Sequence, residues 1–144
     1  MEGIIIGAIG IAICLILSGV GSALGLFKTG TACAGVMAED NKKFSKIIVL
    51  ALLPATQGIY GFVLSVMKIS SLVPEMTLAA GWTLFASTVA MGISGLASAV
   101  LQGWTASSCI YAVGKNSEGS GKYILFPAMI EFYAILALVL GIML

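Results

Sequence analysis

The chain has no arginine and no histidine, and only 9% of its 144 residues are charged, against about 25% in a soluble domain. Without imidazole there is no nitrogen ligand for a transition metal, so any metal chemistry must use oxygen. Net charge is +1, and the seven lysines form no basic patch, which leaves nothing for nucleic acid to bind. Cysteine is scarce and odd in number. Cys14, Cys33 and Cys109 lack CxxC spacing and sit among apolar or small residues, which marks them as reduced packing residues. Neither a phosphate-binding loop nor a catalytic constellation occurs, so the chain is not an enzyme by itself.

What is abundant is apolar: 60% of the residues are hydrophobic, which makes this an integral membrane protein. Four uncharged stretches carry that content. Gly3 to Phe27 is long enough to cross a hydrocarbon core of about 30 Å, and with no basic segment ahead of it, it is expected to be a retained helix rather than a signal. Lys28 ends the uncharged run, but Thr29 to Ala38 remain helix-compatible, so the turn is placed at Glu39-Asp40-Asn41-Lys42-Lys43. A second span runs from Ile47 to Met67. After a turn containing Pro74 and Glu75, the uncharged run Met76 to Val113 is too long for one crossing and should project into water on one side. A polar turn at 114–122 leads to the last span, Tyr123 to Leu144.

Small residues recur every four positions in the first and third spans. Ser18 and Ser22, Gly21 and Gly25, and then Gly95, Ala99 and Gly103 carry the spacing that lets helix backbones approach closely in lipid. The second span is unusually polar for lipid: in LLPATQGIYGF, the residues Leu53, Thr56, Gln57 and Tyr60 share one face at 100° per residue. Pro54 removes a backbone donor, leaving the carbonyl of Leu50 without its usual partner, and a bend is expected there. Gln102 places an amide at or near membrane depth in the third span.

The sharpest feature is LFPAMIEFYAIL, residues 125–136, which sets one carboxylate, Glu131, in an otherwise uncharged run. An ionisable group near the bilayer centre costs about 3 kcal/mol or more, so Glu131 is expected to face protein or a cavity and to be functional. The bland alternative is a neutral Glu131 that only hydrogen-bonds neighbouring helices.

The chain also repeats itself. SGVGSALG from Ser18 is echoed by SGLASAVL from Ser94, and LPATQGIYGF from Leu53 by FPAMIEFYAI from Phe126, with Pro54 matching Pro127 and Tyr60 matching Tyr133. Two hairpins of one ancestral type follow, 1–72 and 73–144. In this register Glu131 falls opposite Gly58, so only the second hairpin carries an acid. Six of the seven lysines lie in or beside the turns after the first and third spans, against Lys68 on the other side. Those two turns should therefore be cytoplasmic in a multi-pass protein of the cell membrane, with both termini on the outer face.

The doubled hairpin, with LLPATQGIYGF and FPAMIEFYAIL, resembles the proteolipid rotor subunit of V-type ATPases over essentially the whole chain, and most closely its sodium-translocating bacterial branch. The resemblance implies an all-α membrane protein of four transmembrane helices as two tandem hairpins, assembled into a homo-oligomeric rotor ring with the first and third helices inside. It implies a Na⁺ site of five oxygen donors: the Glu131 carboxylate, the Thr56 hydroxyl, the Gln57 and Gln102 side-chain carbonyls and the Leu53 backbone carbonyl. Tyr60 would hydrogen-bond the carboxylate. By residue type alone, Tyr133 is either a further hydrogen-bond partner near Glu131 or, as expected, a packing residue between helices. As the ring turns, an arginine of a stator membrane subunit would loosen the hold of Glu131 on the ion. The two cytoplasmic turns would carry a central stalk to subunits that hydrolyse or make ATP, and no organic cofactor is implied.

Elementary chemistry agrees with the resemblance. A hard cation in a low-dielectric site wants several oxygens in place of its hydration shell, and neutral dipoles supply them without further buried charge. One carboxylate then neutralises one monovalent cation. Proton carriage needs only the acid, and for it Thr56, Gln57 and Gln102 would be an unneeded desolvation cost. Sodium is the expected ion, with lithium as a competitor and proton as the alternative. Two further readings are a four-span proton-coupled secondary transporter using Glu131, which would want an aromatic-lined cavity, and a tetraspan scaffold, in which Glu131→Gln would be harmless.

Overall fold

A computed structural model describes residues 1–116 and 118–144, and Ser117, within the expected turn at 114–122, lies outside the described residues. Among the described residues the chain is helical with no strand, and four helical segments are long and apolar enough to cross a membrane. The first span is α1, Glu2–Glu39; the second is α2, Phe44–Leu52, followed by α3, Thr56–Ile69; the third is α4, Leu78–Lys115; the fourth is α5, Leu125–Met143. At 1.5 Å per residue, the 38 residues of α1 and of α4 each extend about 57 Å, so both overrun the bilayer as the long uncharged runs required.

The helix ends follow local chemistry. Asp40 adopts an extended conformation that stops α1, and its carboxylate accepts from the Lys42 backbone N–H at 3.0 Å to cap the short turn Asn41–Lys43. The Lys43 ammonium donates to the Gly114 carbonyl at 2.5 Å, placing a cation at the negative end of α4. Thr77 caps the start of α4, accepting from the Ala80 N–H at 3.2 Å.

Two layers result. In the first, α1 and α4 run parallel and in contact along their whole length, because glycine lines the seam. Gly7 lies against Leu84, Gly21 against Leu96, Gly25 against Gly103, and Val36 against Gly114. A Cβ on Gly103 would sit 2.5 Å from the Gly25 Cα, and one on Gly25 would sit 2.6 Å from the Ala99 carbonyl oxygen, so the two backbones meet with no room for a side chain. In the second layer α3 folds back antiparallel on α1, and α5 antiparallel on α4. The Gly58 N–H donates to Ser22 at 2.7 Å and Ser65 to the Ile11 carbonyl at 3.3 Å; Ser94 donates to the Tyr133 carbonyl at 3.0 Å and Ser98 to that of Ile130 at 3.0 Å. Each pair uses short hydroxyls to join helices, which keeps them close.

The expected bend at Pro54 takes the form of a tight turn, Leu53–Ala55, that separates α2 from α3. One carbonyl beside this turn, that of Ala51, accepts from the buried Thr29 hydroxyl at 2.8 Å. Removing this donor in Thr29→Val should destabilise the assembled protein by about 1 kcal/mol. A lowered midpoint for ring dissociation in detergent would register it, and an unchanged midpoint would show that water or lipid satisfies the carbonyl equally well. The three cysteines are free thiols, with Cys14 and Cys109 buried and Cys33 half-buried.

Candidate functional site

The break at Pro54 decides how the polar face of the second span is displayed. Pro54 is buried against Gly25, and the tight turn there rotates the chain before α3 restarts at Thr56. The backbone stays helical through this turn, and Gln57 and Tyr60 project from it towards α4 and α5. Gln57 is fully buried, while Leu53, Thr56 and Tyr60 are half-buried. From the other side α4 presents Ser98 and Gln102, one turn apart and both buried, and α5 presents Glu131, half-buried.

These groups form one hydrogen-bonded set across three helices. The Tyr60 phenol donates to Glu131 Oε1 at 2.5 Å, and the Gln102 amide donates to Glu131 Oε2 at 3.4 Å and to the Pro127 carbonyl at 3.0 Å. Gln57 Nε2 donates to Gln102 Oε1 at 2.7 Å and to Ser98 Oγ at 3.2 Å. Thr56 donates to the Leu53 carbonyl at 2.9 Å, so these two oxygens stand together at the break. The structure thus links Tyr60, Glu131, Gln102 and Gln57 directly, and holds Thr56 and Leu53 as a separate pair on the adjoining turn.

One atom is left over. Gln57 Oε1 is buried and has no hydrogen-bond partner among the described residues. An amide end can be reversed only if its neighbours permit, and here they do not. The Pro127 carbonyl can only accept, so the Gln102 NH₂ faces it and Gln102 Oε1 faces Gln57; Gln57 must then answer with its own NH₂. Its oxygen is left facing no donor. A buried acceptor in that condition costs about 1–3 kcal/mol unless something fills the role of donor or cation. A monovalent cation fits: the surrounding groups are oxygen donors, Glu131 is the one carboxylate within helices α2 to α5, and among the described residues no cluster of three His, Cys, Asp or Glu exists to attract a multivalent ion.

The duplicated half has no second set. In the repeat register Leu53, Thr56 and Gln57 correspond to Phe126, Met129 and Ile130, and Gln102 corresponds to Leu26. Gly58, opposite Glu131, packs tightly on α1: a Cβ there would lie 3.0 Å from the Ser22 hydroxyl. Tyr133, the counterpart of Tyr60, is 69% exposed on the surface of the chain, so it takes no part in the Glu131 set. Ser98 joins the set without having stood out in the sequence, because a lone serine in a membrane helix usually bonds its own helix or a neighbour. Its four-residue spacing from Gln102 was the available signal.

Comparison with known proteins adds four relations. The family model for the C subunit of ATP synthase matches residues 9–67 and again 85–144. The V-type sodium ATPase subunit K of Enterococcus hirae is 35% identical over 142 residues, covering 99% of this chain and 91% of that protein. The A-type ATP synthase subunit K of Methanocaldococcus jannaschii is 36% identical over 144 residues, all of this chain and 63% of that one. The 16 kDa proteolipid of the V-type proton ATPase of Rattus norvegicus is 24% identical over 139 residues, 94% of this chain and 90% of that one.

Proposed function

The chain belongs to the family of the ATP synthase C subunit, and from that premise we propose that it is a rotor-ring subunit of a V-type ATPase that binds Na⁺ and carries it across the membrane as the ring turns. The ion is the cargo, and ATP chemistry belongs to other subunits of the complex. What carries the sodium assignment is the orphaned Gln57 carbonyl, on an amide joined to Glu131 through Gln102. A proton would be satisfied by the carboxylate alone, and the buried amide pair would then cost desolvation with no return. The relative from Enterococcus hirae, named for sodium, points the same way.

In this reading Glu131, Gln57, Gln102, Thr56 and the Leu53 carbonyl surround the ion, and Tyr60 keeps the carboxylate turned towards them. The two hairpins, 1–72 and 73–144, are copies of one unit, of which only the second retains the acid. The α1–α4 layer lines the inside of the ring and the layer of α2, α3 and α5 faces outward, which puts Glu131 within reach of a stator subunit. An arginine of that stator competes with Na⁺ for the carboxylate, the ion leaves through one half-channel, and another enters from the opposite half-channel. The lysine-rich turns after α1 and α4 face the cytoplasm and seat the central stalk, with both termini on the outer face.

Dicyclohexylcarbodiimide, which attacks a protonated carboxyl in an apolar site, tests this directly on the purified ring. Glu131 should be modified, sodium at millimolar concentration or below should protect it, and potassium should not. Labelling that follows pH alone, indifferent to sodium, would reassign the coupling ion to the proton.

A further inference from the structure

We infer that Ser98 is a positioning residue for sodium binding: it fixes the sense of the Gln57 amide, so that the NH₂ is engaged and the carbonyl oxygen is left free for the ion. The inference rests on the sodium reading above. Ser98 is 4% exposed, and its hydroxyl carries a single proton, donated to the Ile130 carbonyl at 3.0 Å. With that proton spent, only lone pairs face Gln57, and a lone pair accepts the amide NH₂ while repelling the amide oxygen. The Ile130 carbonyl belongs to the peptide bond that leads into Glu131, so the same hydroxyl ties the amide to the backbone that carries the acid.

Gln102 Oε1 also receives the Gln57 NH₂, but Gln102 is itself a link in the same chain of bonds and must rearrange if it is to face an ion. Ser98 then remains the one anchor of the Gln57 amide that is independent of the ion site. The repeat gives an internal comparison: Ser22, the counterpart of Ser98, accepts from the backbone N–H of Gly58, the counterpart of Glu131. Both serines join the two helices of their hairpin at this level, and only in the second half does an amide make use of the hydroxyl.

Ser94 supplies the control, since it donates to the Tyr133 carbonyl at 3.0 Å across the same pair of helices without touching the amide set. In purified rings of the full chain, Ser98→Ala should raise the sodium concentration that half-protects Glu131 from dicyclohexylcarbodiimide by about tenfold, the equivalent of one hydrogen bond. Labelling without sodium should keep its wild-type pH profile, because Tyr60 and Gln102 still hold the carboxylate. Ser94→Ala should leave the half-protecting concentration within about twofold of wild type, and Ser98→Thr, which keeps a hydroxyl, should recover most of the loss. Wild-type protection in Ser98→Ala, an equal loss in Ser94→Ala, or failure of Ser98→Ala alone to assemble would make Ser98 a packing residue and overturn the inference. Absence of sodium protection in the wild-type ring is a distinct result: it removes the sodium reading and this assignment together.

Discussion

Rings carrying Glu131→Gln should assemble, bind no measurable sodium and support no sodium uptake when reconstituted with the rest of an ATPase. The substitution keeps the side-chain shape, and the new amide oxygen can still accept from Tyr60, so the joint between α3 and α5 survives. What it removes is the only charge in the set. A cation among neutral dipoles within the membrane is then uncompensated, and breaking a buried charge pair in this way costs about 3–5 kcal/mol, a loss of at least about a hundredfold in affinity. Equilibrium binding of radioactive sodium to purified rings measures it. Sodium bound with wild-type affinity by the variant would mean that Glu131 is not the counter-charge, and the scaffold reading would regain its footing.

The second large effect is expected where no functional group is present. Gly103→Leu should abolish the stable ring. The Gly103 Cα faces that of Gly25 so closely that even a methyl group would overlap it, and overpacking of a tight core costs about 1–3 kcal/mol before a full side chain is considered. Leucine there must push α1 and α4 apart. Gln102 is the adjacent residue, so the displacement also pulls its amide away from Gln57 and Glu131. Ring yield and sodium protection should therefore fail together. A stable, sodium-protected Gly103→Leu ring would show that the seam between α1 and α4 tolerates separation.

The same two residues show how unevenly the protein could be read in advance. Glu131 announces itself, since a lone carboxylate in the uncharged run from Tyr123 to Leu144 has few explanations in lipid. Gly103 is one of eighteen glycines; its four-residue spacing from Ala99 and Gly95 marked it for a close helix approach, but not that the backbone it meets is that of Gly25. The helix boundaries were legible to within a few residues at the turns, where charges cluster; the first helix continues past Lys28 to Glu39, as the helix-compatible stretch Thr29 to Ala38 predicted, with Lys28 on an exposed face. The bend at Pro54 was legible, but its form was not. A polar face drawn on an unbroken helix places Leu53, Thr56, Gln57 and Tyr60 in one arc, and the helical backbone carries on through the tight turn, with Thr56 bonded to the Leu53 carbonyl, Gln57 to Gln102 and Tyr60 to Glu131.

The sequence by itself determined the membrane class, the four crossings, the duplication and the single acid, because each depends on residue type counted along one dimension: apolar length against bilayer thickness, and charge against none. Only the tertiary structure decided which oxygen of the polar set is free. Hydrogen bonds have direction, and the direction of the Gln57 amide is set by two carbonyls of α5, at Pro127 and Ile130, which reach it through Gln102 and Ser98. Those residues lie far from Gln57 along the chain, on different helices. They come within reach of it because glycine lets α1 and α4 touch and so holds the two hairpins together at the level of the acid.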